Sequence, residues 1–333
     1  MAATTAAAGG GSQAHLRKRH HHHRRSSSSS SSTTLSSLAH AVEQKVESAL
    51  LLLWDELPAW RRDNSYIVSG YRRSSGSYLA SLRSLFYAHN ESVNIWTHLL
   101  GSLFFGGLGA WWLAREYCEL LPRYRGAANP ADVLVFACFF AGAVACLGLS
   151  AAFHTLSNHS EPVAKWGNKL DYSGIVLLIV GSYVPALYYG LFCHPRLMSV
   201  YMSAIFILGT ACGIVSWVEQ FRTPRFRSYR TSIFVGLGVS GVVPVCHGIS
   251  IYGYQGLVDR MAVDWVLLQG FLYIFGAFLY AVRWPERSFP KTFDIWGSSH
   301  QLFHVLILLA AASHLNAMIK AFDYHHSIMG AQC

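Results

Sequence analysis

The sequence predicts an all-α membrane protein: a bundle of seven transmembrane helices preceded by one short amphipathic helix. The composition indicates a membrane protein, because hydrophobic residues make up 52% of the 333 residues and charged residues only 13%. Soluble domains carry about 25% charged residues. Seven apolar stretches are long enough to cross a hydrocarbon core of about 30 Å. They cover residues 94–114, 131–153, 171–192, 197–218, 231–252, 263–283 and 301–320.

The chain before the first span divides into two parts. Residues 1–40 combine Ala and Gly, a basic run and a Ser/Thr tract, which bury too little apolar surface to offset chain entropy, so a disordered tail is predicted. Residues 41–90 are predicted to form a cytosolic amphipathic helix, extending over about 38–53 and ending before Pro58, and then an interfacial connector. The membrane domain covers residues 91–322, and residues 323–333 form a short C-terminal tail.

The basic residues of the loops predict the orientation. Most of them follow spans two, four and six, namely Lys165, Lys169, Arg222, Arg225, Arg227, Arg230, Arg283, Arg287 and Lys291. By the positive-inside rule the N-terminus is then cytosolic and the C-terminus extracellular. The sequons at Asn90 and Asn158 would be cytosolic and unmodified, and Cys118 and Cys193 would both face outward, which permits a disulfide. Nucleic-acid binding is not predicted, because no foldable segment carries a basic helix interleaved with aromatic residues.

Histidines in the spans are the candidate metal ligands, since ionisable groups at membrane depth tend to mark functional sites. The end of span two and the starts of spans three and seven share one level, so His154, Asp171, His300 and His304 are predicted to converge near the cytosolic boundary. Three neutral imidazoles with an open fourth position are typical of a catalytic zinc site. Asp171, and Ser150 one turn before His154, could hold a zinc-bound water by hydrogen bonds.

Spacing alone leaves alternatives open. Each histidine could instead be hydrogen-bonded to a neighbouring helix, which is the interpretation we favour for His247 and His314. His98, near the cytosolic end of span one, could be a fourth ligand that closes the site. For the three histidines with Asp171, the residue spacing and the alternating direction of the spans support a metal site and a hydrogen-bonded cluster equally.

Four strings of the sequence resemble the progestin and adipoQ receptor family, and within it the plant heptahelical proteins. They are NESVNIWTHLLG (90–101), SAAFHTLSNHS (150–160), KLDYSGI (169–175) and FDIWGSSHQLFHVLILLAAASH (293–314). The resemblance extends over residues 64–320. It implies seven helices with a cytosolic N-terminus and a zinc ion near the inner leaflet. By its motifs it also implies that His154, His300 and His304 are the ligands, that Ser150 and Asp171 lie beside them, and that His98 is outside the metal shell.

Three functional hypotheses follow. The first is an adiponectin receptor-like, zinc-binding signalling receptor for a hormone or abiotic stress, in the plasma membrane rather than an endomembrane. It would respond to an extracellular or membrane cue and bind a cytosolic partner through its N-terminal region. The second is a zinc-dependent amide hydrolase for ceramide-like membrane lipids, with a cavity lined by spans three to seven. There Asp171 accepts a proton and Ser150 donates a hydrogen bond. The third is a structural zinc site without turnover.

Overall fold

The fold is a bundle of long helices with a two-stranded ribbon at one end. The computed structural model describes residues 50–117, 129–330 and 333, without the side chains of 114–117. The strands are β1 (Leu51–Leu52) and β2 (Tyr71–Arg72). The helices are α1 (Tyr78–Arg83), α2 (Ser92–Tyr117), α3 (Pro130–Leu156), α4 (Glu161–Gly190), α5 (Pro195–Trp217), α6 (Arg227–Val239), α7 (Val242–Met261), α8 (Val263–Val282) and α9 (Ser299–Ser327).

The helices confirm the predicted membrane bundle. In the described residues, six helical stretches are long and apolar enough to cross a membrane: α3, α4, α5, α8, α9 and the run Pro224–Met261, which contains α6 and α7. The 26-residue helix α2 corresponds to the first predicted span and packs against α3 and α9. Large apolar side chains such as Leu103, Ile207 and Phe278 are more than half exposed on the outside of the bundle, as contact with lipid requires.

Glycines allow α3 and α4 to pack with their backbones almost in contact. A Cβ atom on Gly142 would lie 2.7 Å from the Leu177 carbonyl oxygen, and one on Gly181 would lie 2.6 Å from the Cys138 carbonyl oxygen. Because these neighbours are backbone atoms, they cannot rotate away. Small residues at helix contacts are characteristic of membrane bundles, where helices associate by close packing because lipid provides no hydrophobic driving force between them. This contact places the end of α3 beside the start of α4.

The fifth predicted span is broken into α6 and α7. Pro244 lacks the N–H that an intact helix would direct at the carbonyl of residue 240, and α6 ends just there, with Ser240 as its C-cap. The Tyr183 hydroxyl of α4 donates to the carbonyl oxygens of Gly238 (2.7 Å) and Leu237 (3.2 Å). A side chain from a neighbouring helix thus satisfies carbonyl groups at the break, as non-helical backbone at membrane depth requires.

The segment before the first span differs from the predicted amphipathic helix. Residues 38–49 of that prediction lie outside the described residues. Leu51 and Leu52 form β1, which pairs antiparallel with β2, so the prediction is wrong there. The physical reason is long-range pairing. Hydrogen bonds between β1 and the extended residues Tyr71 and Arg72 outweigh the helical periodicity of the leucines.

We call residues 61–76, which include β2, the strap. They run across the end of the bundle at which the two strands lie. The strap contacts the segment before α2, the end of α3, the start of α6 and the loop between α8 and α9. Just after the end of α3, the side-chain amide of Asn158 donates a hydrogen bond to the Arg73 carbonyl oxygen and accepts one from the Ser81 hydroxyl. Asn158 is only 2% exposed, which agrees with the prediction that its sequon is unmodified.

At the opposite end of the bundle, Cys193 forms a disulfide with Cys333. The sequence permitted a disulfide between Cys193 and Cys118 but left that pairing open; Cys193 is bonded to Cys333 instead, and Cys118 itself lies outside the described residues. Sequence separation could not decide between the two partners, because a disulfide depends on Cα atoms coming within about 7 Å. The Cα atoms of Cys193 and Cys333 are 5.5 Å apart. The disulfide ties the C-terminus to the turn between α4 and α5.

Candidate metal centre

Three histidines from two helices meet at the strap end of the bundle, which we call the metal end. His154 lies in the last turn of α3, and His300 and His304 lie one turn apart at the start of α9. One ring nitrogen from each falls within 4.8 Å of the others. His154 and His304 are both 2% exposed. The predicted convergence of these three side chains is therefore present in the structure.

A carboxylate outside the spans orients the ring of His154. Glu91, just before α2, lies with its Oε2 atom 2.7 Å from His154 Nδ1, and the Asn94 amide donates to the same oxygen at 2.7 Å. Burial alone would raise the pKa of Glu91, but the neighbouring His154 and the hydrogen bond from Asn94 hold that pKa below its ordinary value. An ionised Glu91 accepts a hydrogen bond from the Nδ1–H group of His154, which leaves the lone pair of Nε2 free for a metal.

The ring of His304 is held in a similar way. Its Nδ1 lies 3.2 Å from the carbonyl oxygen of Asn94, so Nε2 is again the free nitrogen. His98 stacks flat on the His304 ring, with centroids 3.7 Å apart and planes within 11° of parallel. A stacked ring presents its face to its neighbour rather than a nitrogen lone pair. The hypothesis that His98 supplies a fourth ligand is not supported, and its ring instead packs beside the site.

The residues present fit a metal ion. His154 Nε2 is buried and makes no hydrogen bond within the described chain. A buried polar atom without a partner is costly, and three inward-facing imidazole nitrogens match the donor set of zinc. Around these nitrogens the rings of His154, His300 and His304 lie edge to face, with centroids 4.8 to 5.0 Å apart.

Asp171 and Ser150 line the same cavity as the three histidines. Ser150 lies on α3, one turn before His154, and Asp171 lies near the start of α4. Both side chains are buried. Both residues line a cavity of about 930 Å³ that reaches the three histidines. Two polar groups, one a proton acceptor and one a donor, therefore face the space beside the imidazoles.

The cavity runs from the metal end into the bundle. Apolar side chains of α4, α6 and α8 form much of its wall, including Ile175, Leu178, Phe234 and Phe271. The prediction named spans three to seven as the lining. In the structure span two also contributes, through residues such as Ser150 and Phe153, whereas no described residue of α5 lines the cavity. The reason is the close packing of α3 on α4, which keeps α3 at the centre and α5 outside.

The two histidines assigned to hydrogen bonding do form such bonds. His247 Nδ1 lies 3.0 Å from the Tyr201 hydroxyl, and His314 Nδ1 lies 2.8 Å from Oε1 of Gln269. Tyr201 and Gln269 are partners on neighbouring helices, which the sequence did not identify. Neither histidine joins the metal cluster among the described residues.

The fold and the site together define an integral, multi-pass membrane protein with a buried three-histidine cluster at one end of its helix bundle. Residues 86–315 match the family described as Haemolysin-III related. The chain therefore belongs to this family, and the prediction of an adiponectin receptor-like protein is confirmed.

Relatives from animals, fungi and plants support this assignment. The chain is 40% identical to the "Adiponectin receptor protein" of Drosophila melanogaster, over 90% of this chain and 67% of the relative. It is 42% identical to "ADIPOR-like receptor IZH2" of Saccharomyces cerevisiae, over 83% of this chain and 85% of the relative. It is 33% identical to "Heptahelical transmembrane protein 4" of Arabidopsis thaliana, over 82% of this chain and 88% of the relative.

The sequence does not predict the roles of Glu91 and Arg72. Glu91 is the middle residue of a sequon and also lies one residue before α2, where its half-buried carboxylate pairs with His154. Arg72 belongs to the interfacial connector, yet it is 0% exposed. A signal for Glu91 was present: an acidic residue at the level of three predicted histidine ligands. No signal in the sequence distinguishes Arg72 from its neighbour Arg73.

Proposed function

We propose that this protein is an adiponectin receptor-like signalling receptor of the plasma membrane, built around a zinc ion held by His154, His300 and His304. The observation that carries the zinc site is the histidine cluster, in which His154 and His304 are buried and His300 is half-buried, with its imidazole nitrogens within 4.8 Å of one another. The names of the fly and yeast relatives support the receptor role. The cue would be a hormone or a product of abiotic stress.

The cavity supports a membrane lipid as the cue or as its carrier. Its apolar wall suits an acyl chain, and its polar end at the histidines suits a head group. A ligand there would touch α4, α6 and α8 together, so its binding can bias how those helices pack. A cytosolic partner bound to the N-terminal region would detect that change, since the strap contacts the same end of the bundle.

The second candidate is a zinc-dependent amide hydrolase acting on ceramide-like lipids, and the position of Asp171 and Ser150 on the cavity beside the cluster favours it. Zinc, when bound, supplies Lewis acidity and lowers the pKa of water to near 7. Asp171 would accept the proton of the attacking water on a carboxylate oxygen and return it to the amide nitrogen as the C–N bond breaks, so that the fatty acid and the amine leave. The Ser150 hydroxyl would donate a hydrogen bond to the developing oxyanion, and the cavity wall would hold the acyl chain.

The metal content of purified protein tests the proposal. Wild-type protein should retain one zinc per chain, and the triple variant of His154, His300 and His304 to Ala should retain none. His247→Ala is the matched control, because His247 is also a histidine in a span but pairs with Tyr201 outside the cluster. A triple variant that keeps its zinc would contradict the proposal.

Hydrolysis separates the candidate functions. Release of fatty acid from a ceramide by the wild type, lost in Asp171→Asn while the zinc is retained, would favour the hydrolase. Zinc retention without fatty-acid release, together with a ligand-dependent change in binding to the N-terminal region, would favour the receptor. Zinc retention with neither response would leave a structural site.

A further inference from the structure

Arg72 is the most completely buried cation of the strap. Its guanidinium donates to the carbonyl oxygens of His154 (2.6 Å) and Thr155 (2.9 Å), in the last turn of α3. It also donates to the hydroxyls of Ser84 (2.8 Å) and Ser157 (3.1 Å). Carbonyl groups in the last turn of a helix lack intrahelical partners, and a cation there also complements the helix dipole. Arg72 therefore caps the helix end that carries His154.

His154 is consequently held at two points. Glu91 accepts a hydrogen bond at the ring, and Arg72 holds the backbone carbonyl of the same residue. Neither Glu91 nor Arg72 belongs to a membrane span. Burial lowers the pKa of Arg72 to about 10, so the guanidinium remains charged at neutral pH. The position of this ligand thus depends on groups delivered from outside the span that bears it.

The strap is fixed on the other side by buried carboxylates of the loop between α8 and α9. Asp294 accepts from the backbone N–H of Val68 (3.0 Å) and from the Ser69 hydroxyl (2.7 Å). Glu286, which is 0% exposed, accepts from the Asn64 amide at 3.0 Å and from the backbone N–H of Ser299 at 2.8 Å. Ser299 is the first residue of α9, next to His300. The same loop therefore fixes the strap and the start of the second ligand helix.

Further contacts tie the strap to the rest of the metal end. Asp63 forms an ion pair with Arg227 at the start of α6. The Asn90 N–H donates to the Gly70 carbonyl oxygen at 2.9 Å, immediately before Glu91. Gly70 has a φ of +81°, and a Cβ atom there would lie 2.3 Å from Ile295 Cδ1. The positive φ favours glycine at this position, because residues with a Cβ atom rarely adopt that backbone conformation.

We propose that the strap is a clamp that sets the spacing between the α3 and α9 metal ligands, with Arg72 as the positioning residue for His154. This inference rests on the metal centre proposed above. The strap joins the last turn of α3 to the loop that leads into α9, so a change in the strap changes the distance between His154 and the His300–His304 pair. A partner that binds the N-terminal region can therefore alter the metal site without touching a ligand.

Two measurements on full-length Arg72→Gln test the clamp. The first is zinc affinity by chelator competition, with the visible spectrum of the cobalt-substituted protein as a report on ligand geometry. Because the side chains that orient metal ligands typically contribute 10- to 100-fold to metal affinity, we expect an affinity about 10-fold lower or worse, with a changed cobalt spectrum. The second is hydrogen exchange over residues 150–157 in chelator-treated protein, which we expect to become faster.

The controls separate positioning from general stability. Arg83→Gln changes an exposed arginine of the neighbouring helix α1 and should leave both measurements at wild-type values. Arg72→Lys keeps the charge but not the forked donor geometry, so partial recovery of zinc affinity is expected. Asp294→Asn weakens the strap at its other anchor; if Arg72→Gln does not fold, reduced zinc affinity in this variant carries the same test.

Each outcome decides the inference. Faster exchange with lower zinc affinity in Arg72→Gln supports the clamp. Wild-type zinc affinity in folded Arg72→Gln and Asp294→Asn overturns it, and faster exchange alone reduces Arg72 to an ordinary helix cap. Wild-type protein without zinc overturns the proposed metal centre instead, and the exchange measurement then still decides whether Arg72 fixes the end of α3.

Discussion

At the scale of single residues, Glu91 acts on the candidate metal site through His154 without being a candidate ligand. It selects the tautomer of His154 by accepting at Nδ1, so that Nε2 faces the other imidazoles. A metal-bound histidine commonly has such a carboxylate partner, which orients the ring and raises its basicity. Residue spacing predicted that the histidines converge and the family resemblance assigned them as ligands, whereas the group that orients His154 lies 63 residues away from it in sequence.

Glu91→Gln should weaken zinc binding about 10- to 100-fold, the usual range for loss of such an orienting carboxylate. The amide keeps the size of the side chain but accepts more weakly and loses the charge. Chelator competition on purified protein measures the effect. Glu56→Gln is the control, because Glu56 is exposed and accepts only from the Leu53 backbone among the described contacts. Equal zinc affinity in Glu91→Gln and wild type would exclude the orienting role.

At the scale of elements, the contact between α3 and α4 positions the site. Its glycines bring the two backbones together, and this sets the last turn of α3, with His154, beside Asp171 of α4. The length of the apolar stretches predicted both helices, and the turn between α4 and α5 falls in the gap between the third and fourth predicted spans. The break between α6 and α7 was not predicted as such, because its stabilising partner, Tyr183, belongs to another helix.

Gly181→Ala should destabilise the bundle by about 1–3 kcal/mol, the usual cost of overpacking a tight contact. The new methyl group would meet the Cys138 carbonyl oxygen at 2.6 Å, and a backbone atom cannot yield without moving the helix. Thermal unfolding in detergent measures the loss as a lower melting temperature. Gly107→Ala, where nothing lies within 4 Å, should not lower the melting temperature, and equal effects from both substitutions would refute the packing argument.

At the scale of the whole molecule, the two ends of the bundle are fastened differently. Hydrogen bonds and ion pairs of the strap fasten the metal end, and the Cys193–Cys333 disulfide fastens the other. Disulfides persist in oxidising compartments, so this disulfide agrees with the predicted extracellular C-terminus. The orientation itself stays a prediction, based on the basic residues of the loops.

Cys333→Ser should lower the melting temperature under non-reducing conditions, because loss of a disulfide typically costs about 2–4 kcal/mol. Cys193→Ser should have the same effect, and the double variant should be no worse than either single one. Cys246→Ser is the control, since Cys246 is a free, exposed thiol.

Alkylation of intact cells with a membrane-impermeant reagent after mild reduction should label Cys193. Labelling that requires permeabilised cells would contradict the predicted orientation.

The sequence by itself determined the helical bundle, the approximate limits of its spans and the convergence of His154, His300 and His304. These features follow from local quantities: apolar length, the spacing of residues on one helix, and the parity of successive crossings. The tertiary structure alone decided the partners of these elements: Glu91 on the ring of His154, Arg72 on its carbonyl, Tyr183 at the helix break and Cys333 on Cys193. Such contacts join residues far apart in the chain, and their specificity depends on distances and directions that sequence spacing does not encode.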